Sequence, residues 1–229
     1  MDMEETLIIF GIEIDNQTSK ESMKSAIALM EREGLGTIEL VTMEMLLQEQ
    51  DNQELKQIVR AMDLVLPGTK EILEMADFTE KEARSLQYPS ERPFLQLFMK
   101  FLQKNQKRIF VLAESEMEKE MTVDLLLQGN KGILIAGSGI LSKENASEDT
   151  VVNDINGLEI DCILSVVPSP QQEQFIAHSA ALLNANIWLG CGNLLRMGYK
   201  EKQYLNRVKN FVARRIFHHQ VGKQNDTLH

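Results

Sequence analysis

Cys162-Ile163-Leu164-Ser165-Val166-Val167-Pro168-Ser169-Pro170-Gln171-Gln172-Glu173 reads as a buried strand that runs into the start of a helix. The first six residues are aliphatic or small, as expected of a strand covered on both faces. Ser169 then offers an N-cap, Pro170 stands where the first helical N–H would be unsatisfied anyway, and Gln172 is an amide in the first turn. The helix is expected to continue through Phe175, Ile176 and Leu183.

The same alternation recurs in both directions from this stretch. Strand-length apolar runs occur at Leu7 to Ile14, Ile38 to Val41, Leu64 to Leu66, Ile109 to Leu112, Ile133 to Ala136 and Ile187 to Leu189. Between them lie helical patterns. Two carry capping boxes, Thr18-Ser19-Lys20-Glu21 and Thr79-Glu80-Lys81-Glu82, in which a hydroxyl and a carboxylate each satisfy a free backbone N–H. Strands alternating with helices predict an α/β fold with a mostly parallel sheet and helices on both faces. A proline-containing linker from Tyr88 to Pro93 divides a single 229-residue domain into an N-terminal part, 1–88, and a C-terminal Rossmann-like βαβαβ unit, 94–192. A basic helix and tail, 196–229, follow.

Composition narrows the function. No apolar run approaches the ~20 residues needed to cross a bilayer. The acidic opening Met1-Asp2-Met3-Glu4-Glu5 lacks the basic character of a signal or transit peptide, which predicts a cytoplasmic protein. Cys162 and Cys191 are expected on neighbouring strands, about 15 Å apart at ~3.3 Å per residue, and therefore as free thiols. With no second Cys or His at ligand spacing, neither a metal site nor a cofactor is expected. The net charge of −10 argues against sequence-independent nucleic-acid binding. That charge is unevenly spread: residues 196–229 carry +6, leaving −16 on the rest.

In a parallel α/β sheet, ligands bind beyond the carboxyl ends of the strands, so the strand-to-helix loops hold the candidates. These are Val41 to Glu44, with Thr42 and Glu44; Pro67 to Lys70; Ala113 to Glu116; Gly137-Ser138-Gly139, read as a loop with free N–H groups; and Val167 to Glu173, with Ser169, Gln171, Gln172 and Glu173. Gly190-Cys191-Gly192 closes the last strand. Bland explanations accompany each. Thr42 can bond its own loop, Gly137 to Gly139 can be a turn, and Gln172 and Glu173 are ordinary first-turn residues.

The order of these loops resembles the WecG/TagA/CpsF glycosyltransferases of cell-surface polymer synthesis. Gly11-Ile12-Glu13-Ile14-Asp15 is similar to that family's Gly-x-x-Ile-Asp opening, Thr42 to the start of its Thr-x-Asn-x-Glu segment, and Leu66-Pro67 to the approach to its Pro-Asp-Gly turn. Asn156, Asp161 and Ser169-Pro170-Gln171-Gln172-Glu173 resemble its Asn…Asp…Gly-Ser-Pro-Lys-Gln-Glu signature, and Gly190-Cys191-Gly192 its Gly-Val-Gly.

The resemblance implies sugar transfer from a UDP-sugar to a lipid-linked acceptor, with Thr42, Gln172 and Glu173 as retained site residues and Gly137, Ser138, Ser169, Gln171, Gly190 and Gly192 beside the substrate. It also implies a base at the Pro-Asp-Gly turn, where this chain has Pro67-Gly68-Thr69. A displaced carboxylate among Glu44, Glu71 and Glu114, or a non-catalytic binding or regulatory role, would account for the change. Gln171 replaces the signature lysine, and Ala113-Glu114 replaces a glycine pair.

From Tyr199 to Phe217, Leu205, Val208, Phe211, Val212, Ile216 and Phe217 recur at helical spacing among Arg207, Lys209, Arg214 and Arg215. Two expectations follow: a terminal helix docked on the sheet, or a peripheral contact with anionic lipid at the inner face of the membrane, with Arg207, Arg214 and Arg215 on the acceptor side.

Overall fold

A computed structural model describes residues 6–69, 72, 93–142 and 148–199. The elements are β1 (Thr6–Ile9), β2 (Ile12–Asp15), α1 (Ser19–Glu31), β3 (Gly36–Val41), α2 (Met43–Gln48), α3 (Gln53–Arg60) and β4 (Leu64–Pro67). They continue with α4 (Pro93–Lys104), β5 (Arg108–Ala113), α5 (Glu116–Gly129), β6 (Leu134–Ile140), α6 (Glu148–Asn156), β7 (Ile160–Ser165), α7 (Gln171–Ser179) and β8 (Ala185–Gly190). Short 3₁₀ segments follow α7 and β8, at Ala180–Leu182 and Gly192–Tyr199.

Six strands form one sheet in the order β4-β3-β8-β7-β5-β6, and every neighbouring pair is parallel. The run Ile109 to Ala113 in β5 is buried at every position, which requires cover on both faces. Helices supply it: α1 packs against α4, while α3 and α6 pack against α7. Counted from β5, the C-terminal unit has the strand order second, first, third, fourth. This is the other common doubly wound order, and it places the topological reversal between β5 and β7. Trp188, Phe175 and Phe110 anchor the core beside Ile155, Ile160 and Ile163.

Two sequence expectations need correction here. Leu7 to Ile14 is not one strand but the hairpin β1–β2, a separate two-stranded sheet. Its two-residue turn, Phe10-Gly11, has positive φ at both positions, the conformation that matches hairpin twist. Asp15 Oδ2 at the end of β2 accepts from Val65 N at 2.7 Å, capping an N–H of the edge strand β4. The second correction concerns Gly137-Ser138-Gly139, which lies inside β6 rather than in a loop. A Cβ at Gly137 would come within 2.9 Å of the Phe110 ring, and one at Gly139 within 3.0 Å, so these glycines make room for that ring. Their N–H groups belong to a strand.

Thr18 forms the expected capping box with Glu21. The second box, at Thr79, and the Glu71 candidate lie outside the described residues. Both cysteines are free and buried, and burial pushes the Cys162 thiol well above its ordinary value. Contact density divides the chain into Met1–Leu195 and Arg196–His229, a boundary at the start of the basic tail. The amphipathic segment with Arg207, Arg214 and Arg215 lies outside the described residues. No helix among the described residues is long and apolar enough to cross a membrane.

Candidate functional site

Because all six strands are parallel, the loops after β3, β4, β5, β7 and β8 leave the same edge of the sheet. Those after β3, β7 and β8 meet in a cleft lined by Glu39, Thr42, Glu44, Met45, Ser169, Gln172, Gly192 and Asn193. At its floor is a residue that the sequence pattern did not single out. Glu39 lies within β3 between Ile38 and Leu40 and is fully buried.

Its setting is built by the adjoining strand and helix. Glu39 stands opposite Gly190 in the β3–β8 ladder, and a Cβ on Gly190 would overlap the Glu39 carboxylate. Gly190 is therefore needed where it is. From α7, Gln172 Nε2 donates to Glu39 Oε1 at 2.8 Å and to Glu173 Oε1 at 3.0 Å. Gln172 Oε1 accepts from Gly192 N at 3.2 Å, and Gly192 adopts φ +47°, a conformation natural to glycine. One amide thus fastens β3, α7 and the turn after β8 together.

Ser169 is not the N-cap. The cap position belongs to Pro170, and Ser169 Oγ instead donates to Glu173 Oε1 at 2.6 Å. Glu173, a candidate site residue whose competing explanation was an ordinary first-turn role, is completely buried. Two carboxyl groups therefore share one buried amide, with no Lys, Arg or His among the described residues that line the cleft. Burial, and then the charge of Glu173, hold the Glu39 carboxyl well above the ordinary carboxylate range. Burial also raises Glu173, opposed by its bonds from Ser169 and Gln172. Both carboxyl groups thus keep a proton to higher pH than a free glutamate does.

Thr42 is buried and caps α2, its Oγ1 accepting from Met45 N at 3.2 Å. Glu44, in the first turn of α2, accepts from Gln48 Nε2 at 3.2 Å and from Asn193 Nδ2 at 2.8 Å. Gln171 points elsewhere, donating to Leu141 O at 3.0 Å and tying α7 to the end of β6. Gly137 and Ser138 belong to β6, the far edge strand, whereas Glu39, Gln172 and Gly192 gather around β3, β8 and α7.

The β4 turn is closed. Gly68 N donates to Val41 O at 2.8 Å, and a Cβ at Gly68 would lie 2.7 Å from that same oxygen. An aspartate at this position would require the backbone to shift. Asn156 and Asp161 serve structure instead of the cleft. Asn156 bridges Leu182 O and Asn184 N, while Asp161 accepts from Lys107 Nζ at 2.9 Å and Arg108 N at 2.8 Å. Among the described residues no group of three His, Cys, Asp or Glu side chains is arranged to hold a metal ion.

A family model described as "Glycosyl transferase WecG/TagA/CpsF family" matches residues 7–202, most of the chain and all of the sheet. No curated protein matches the sequence.

Proposed function

The chain belongs to the WecG/TagA/CpsF glycosyltransferase family, and from that premise we propose that it transfers a sugar from a UDP-sugar to a lipid-linked acceptor in the synthesis of a cell-surface polysaccharide or teichoic acid. The supporting observation is the cleft at the strand ends, where Ser169 and Gln172, from the part of the chain that resembles the family's Ser-Pro-Lys-Gln-Glu motif, line the same space as Thr42 and Glu44. The acceptor hydroxyl loses its proton to a base as its oxygen attacks the anomeric carbon. The bond from that carbon to the donor phosphate breaks, and the nucleoside diphosphate leaves with the electron pair.

Glu44 is the base in this reading. It lines the cleft in the first turn of a helix, where the backbone dipole favours a carboxylate, and Asn193 orients it. The basic segment with Arg207, Arg214 and Arg215 faces anionic lipid and the acceptor at the inner face of the membrane. Incubating the full chain with UDP-sugars and a lipid-linked acceptor tests the activity. Glu44→Gln is expected to lower turnover by roughly 10² to 10⁴ while nucleotide binding persists. Unchanged turnover removes Glu44 from the role.

The closed turn at Gly68 favours a second reading, a non-catalytic relative that binds a sugar or nucleotide in a regulatory role. Calorimetric titration with UDP and UDP-sugars that shows binding, together with no transfer by the wild-type chain, selects it.

A further inference from the structure

Helix α5 turns one side to the sheet through the buried Thr122 and Leu126. A helix packed in this way ordinarily keeps its opposite side polar. On α5 that side carries a second apolar row instead: Met117, Met121 and Leu125, each four residues from the next, are 68, 63 and 49% exposed. Residues four apart are neighbours on a helix surface, so the three side chains form one strip. Exposed apolar side chains scattered singly are ordinary, whereas a contiguous strip marks a surface that something covers.

An acidic row lies beside the apolar one. Glu116, Glu120 and Asp124 repeat at the same spacing, one residue earlier, and all three are exposed. Lys119 pairs with Glu116 at 2.5 Å, but among the described residues no cation pairs with Glu120 or Asp124. Like charges four residues apart weaken a helix. The helix dipole favours an acid in the first turn, which accounts for Glu116; Asp124 stands past the middle of α5, where the dipole gives it no support. The acidic row is therefore not explained by the helix that carries it.

Whatever covers this face has to bring apolar side chains and, alongside them, positive charge. An anionic lipid surface is repelled by the acids, and the same face of a second copy brings an identical acidic row. A helix of another protein with Lys or Arg in a row beside its apolar residues supplies both at the spacing α5 presents. Methionine suits such a contact, because its unbranched, polarizable side chain adapts to the shape it meets.

We infer that the exposed face of α5 is a docking surface for a basic amphipathic helix of a partner protein, with Met117, Met121 and Leu125 taking its apolar row and Glu120 and Asp124 its cations. None of these residues lines the strand-end cleft, so docking is a property separate from sugar transfer.

The test is titration of the full chain with fluorescently labelled peptides of about 18 residues, or five helical turns. One is built from Leu and Lys at amphipathic helical spacing, a second has the same composition in scrambled order, and a third has Glu in place of Lys. The wild type is expected to bind the first saturably and the other two about tenfold more weakly or not at all. Met121→Ser, at an exposed position where the fold has little to lose, is expected to weaken that binding by about fivefold or more. Glu120→Lys combined with Asp124→Lys is expected to weaken it by about tenfold and to let the Glu peptide bind in its place.

The inference is overturned if the wild type does not bind the Leu-Lys helix at millimolar concentration, if the scrambled peptide binds equally well, or if neither variant loses affinity. It is also overturned if the face has another occupant. Lipid vesicles that bind the wild type but not Met121→Ser would show a membrane contact, and a dimer in sedimentation that Met121→Ser dissociates would show a second copy. Sugar transfer, present or absent, changes none of these readings.

Discussion

The two ends of the parallel sheet treat their carboxyl groups in opposite ways. At the amino-terminal end, carboxylates meet donors. Asp63 takes two bonds from the Arg32 guanidinium, at 2.8 and 3.0 Å, and two more from Thr37 N and Oγ1, and Asp161 is paired with Lys107 and Arg108 N. At the carboxyl-terminal end, Glu39 and Glu173 face each other across one amide, and among the described residues no cation joins them and each leaves an oxygen unpartnered. The first arrangement lowers the free energy of the fold. The second raises it, and strain of that kind concentrates where proteins bind and react.

Replacing Asp63 with alanine gives the sharpest test of the contrast. Thr37 N and its hydroxyl would lose their acceptor and Arg32 its partner, and with water able to replace part of what is lost, chemical denaturation should show a loss of about 1 kcal/mol. Glu39→Gln at the other end should cost less, or stabilise, because it replaces a buried carboxyl with a neutral amide of similar shape. Equal losses from both substitutions would break the comparison.

A smaller effect should appear with pH, and with opposite sign at the two ends. Burial alone would raise the Asp63 carboxyl, yet the bonds from Arg32 and Thr37 hold it below the ordinary range. Its contribution is full above the unfolded value of about 3.9 and is lost as the pH falls through its folded value. Glu39 is raised, so the stability linked to its proton is full below the unfolded value of about 4.3. It is lost as the pH rises through the higher folded value. Melting temperature should therefore decline from weakly acidic to alkaline pH, and Glu39→Gln should flatten that decline. A slope unaltered by the substitution would move the proton to another group.

The smallest effect is expected at the surface. Arg60 and Glu13 form an ion pair at 3.0 Å with both side chains well exposed. Arg60→Ala should change stability by no more than about 0.5 kcal/mol, and high salt should erase the difference. A larger loss would mean that exposed pairs compete with the network at Asp63.

The repeating apolar runs were enough to place β3, β4, β5, β7 and β8, because a strand covered on both faces is aliphatic at most of its positions. The Thr18 capping box was legible for a similar reason, since its partners lie three residues apart. The order of the family's loops was also readable along the chain, and the family match spans it. Where the sequence misled, the deciding contacts were distant. Gly137 and Gly139 look like a phosphate loop until the Phe110 ring is seen beside them. The apolar run from Leu7 to Ile14 hides a hairpin whose only local signal is Gly11.

Glu39 is the clearest case. Local pattern marks it only as a charged residue inside an apolar strand, which is itself a signal, since such a residue is rarely buried without a purpose. Nothing near it in the chain supplies the reason. Gly190 and Gln172 stand more than a hundred residues away, and only the pairing of β3 with β8 and the docking of α7 bring them to it. The sequence by itself determined the class of fold, because backbone periodicity and capping are local chemistry. The tertiary structure alone decided which carboxyl groups meet, because burial and charge proximity depend on contacts that chain order does not record.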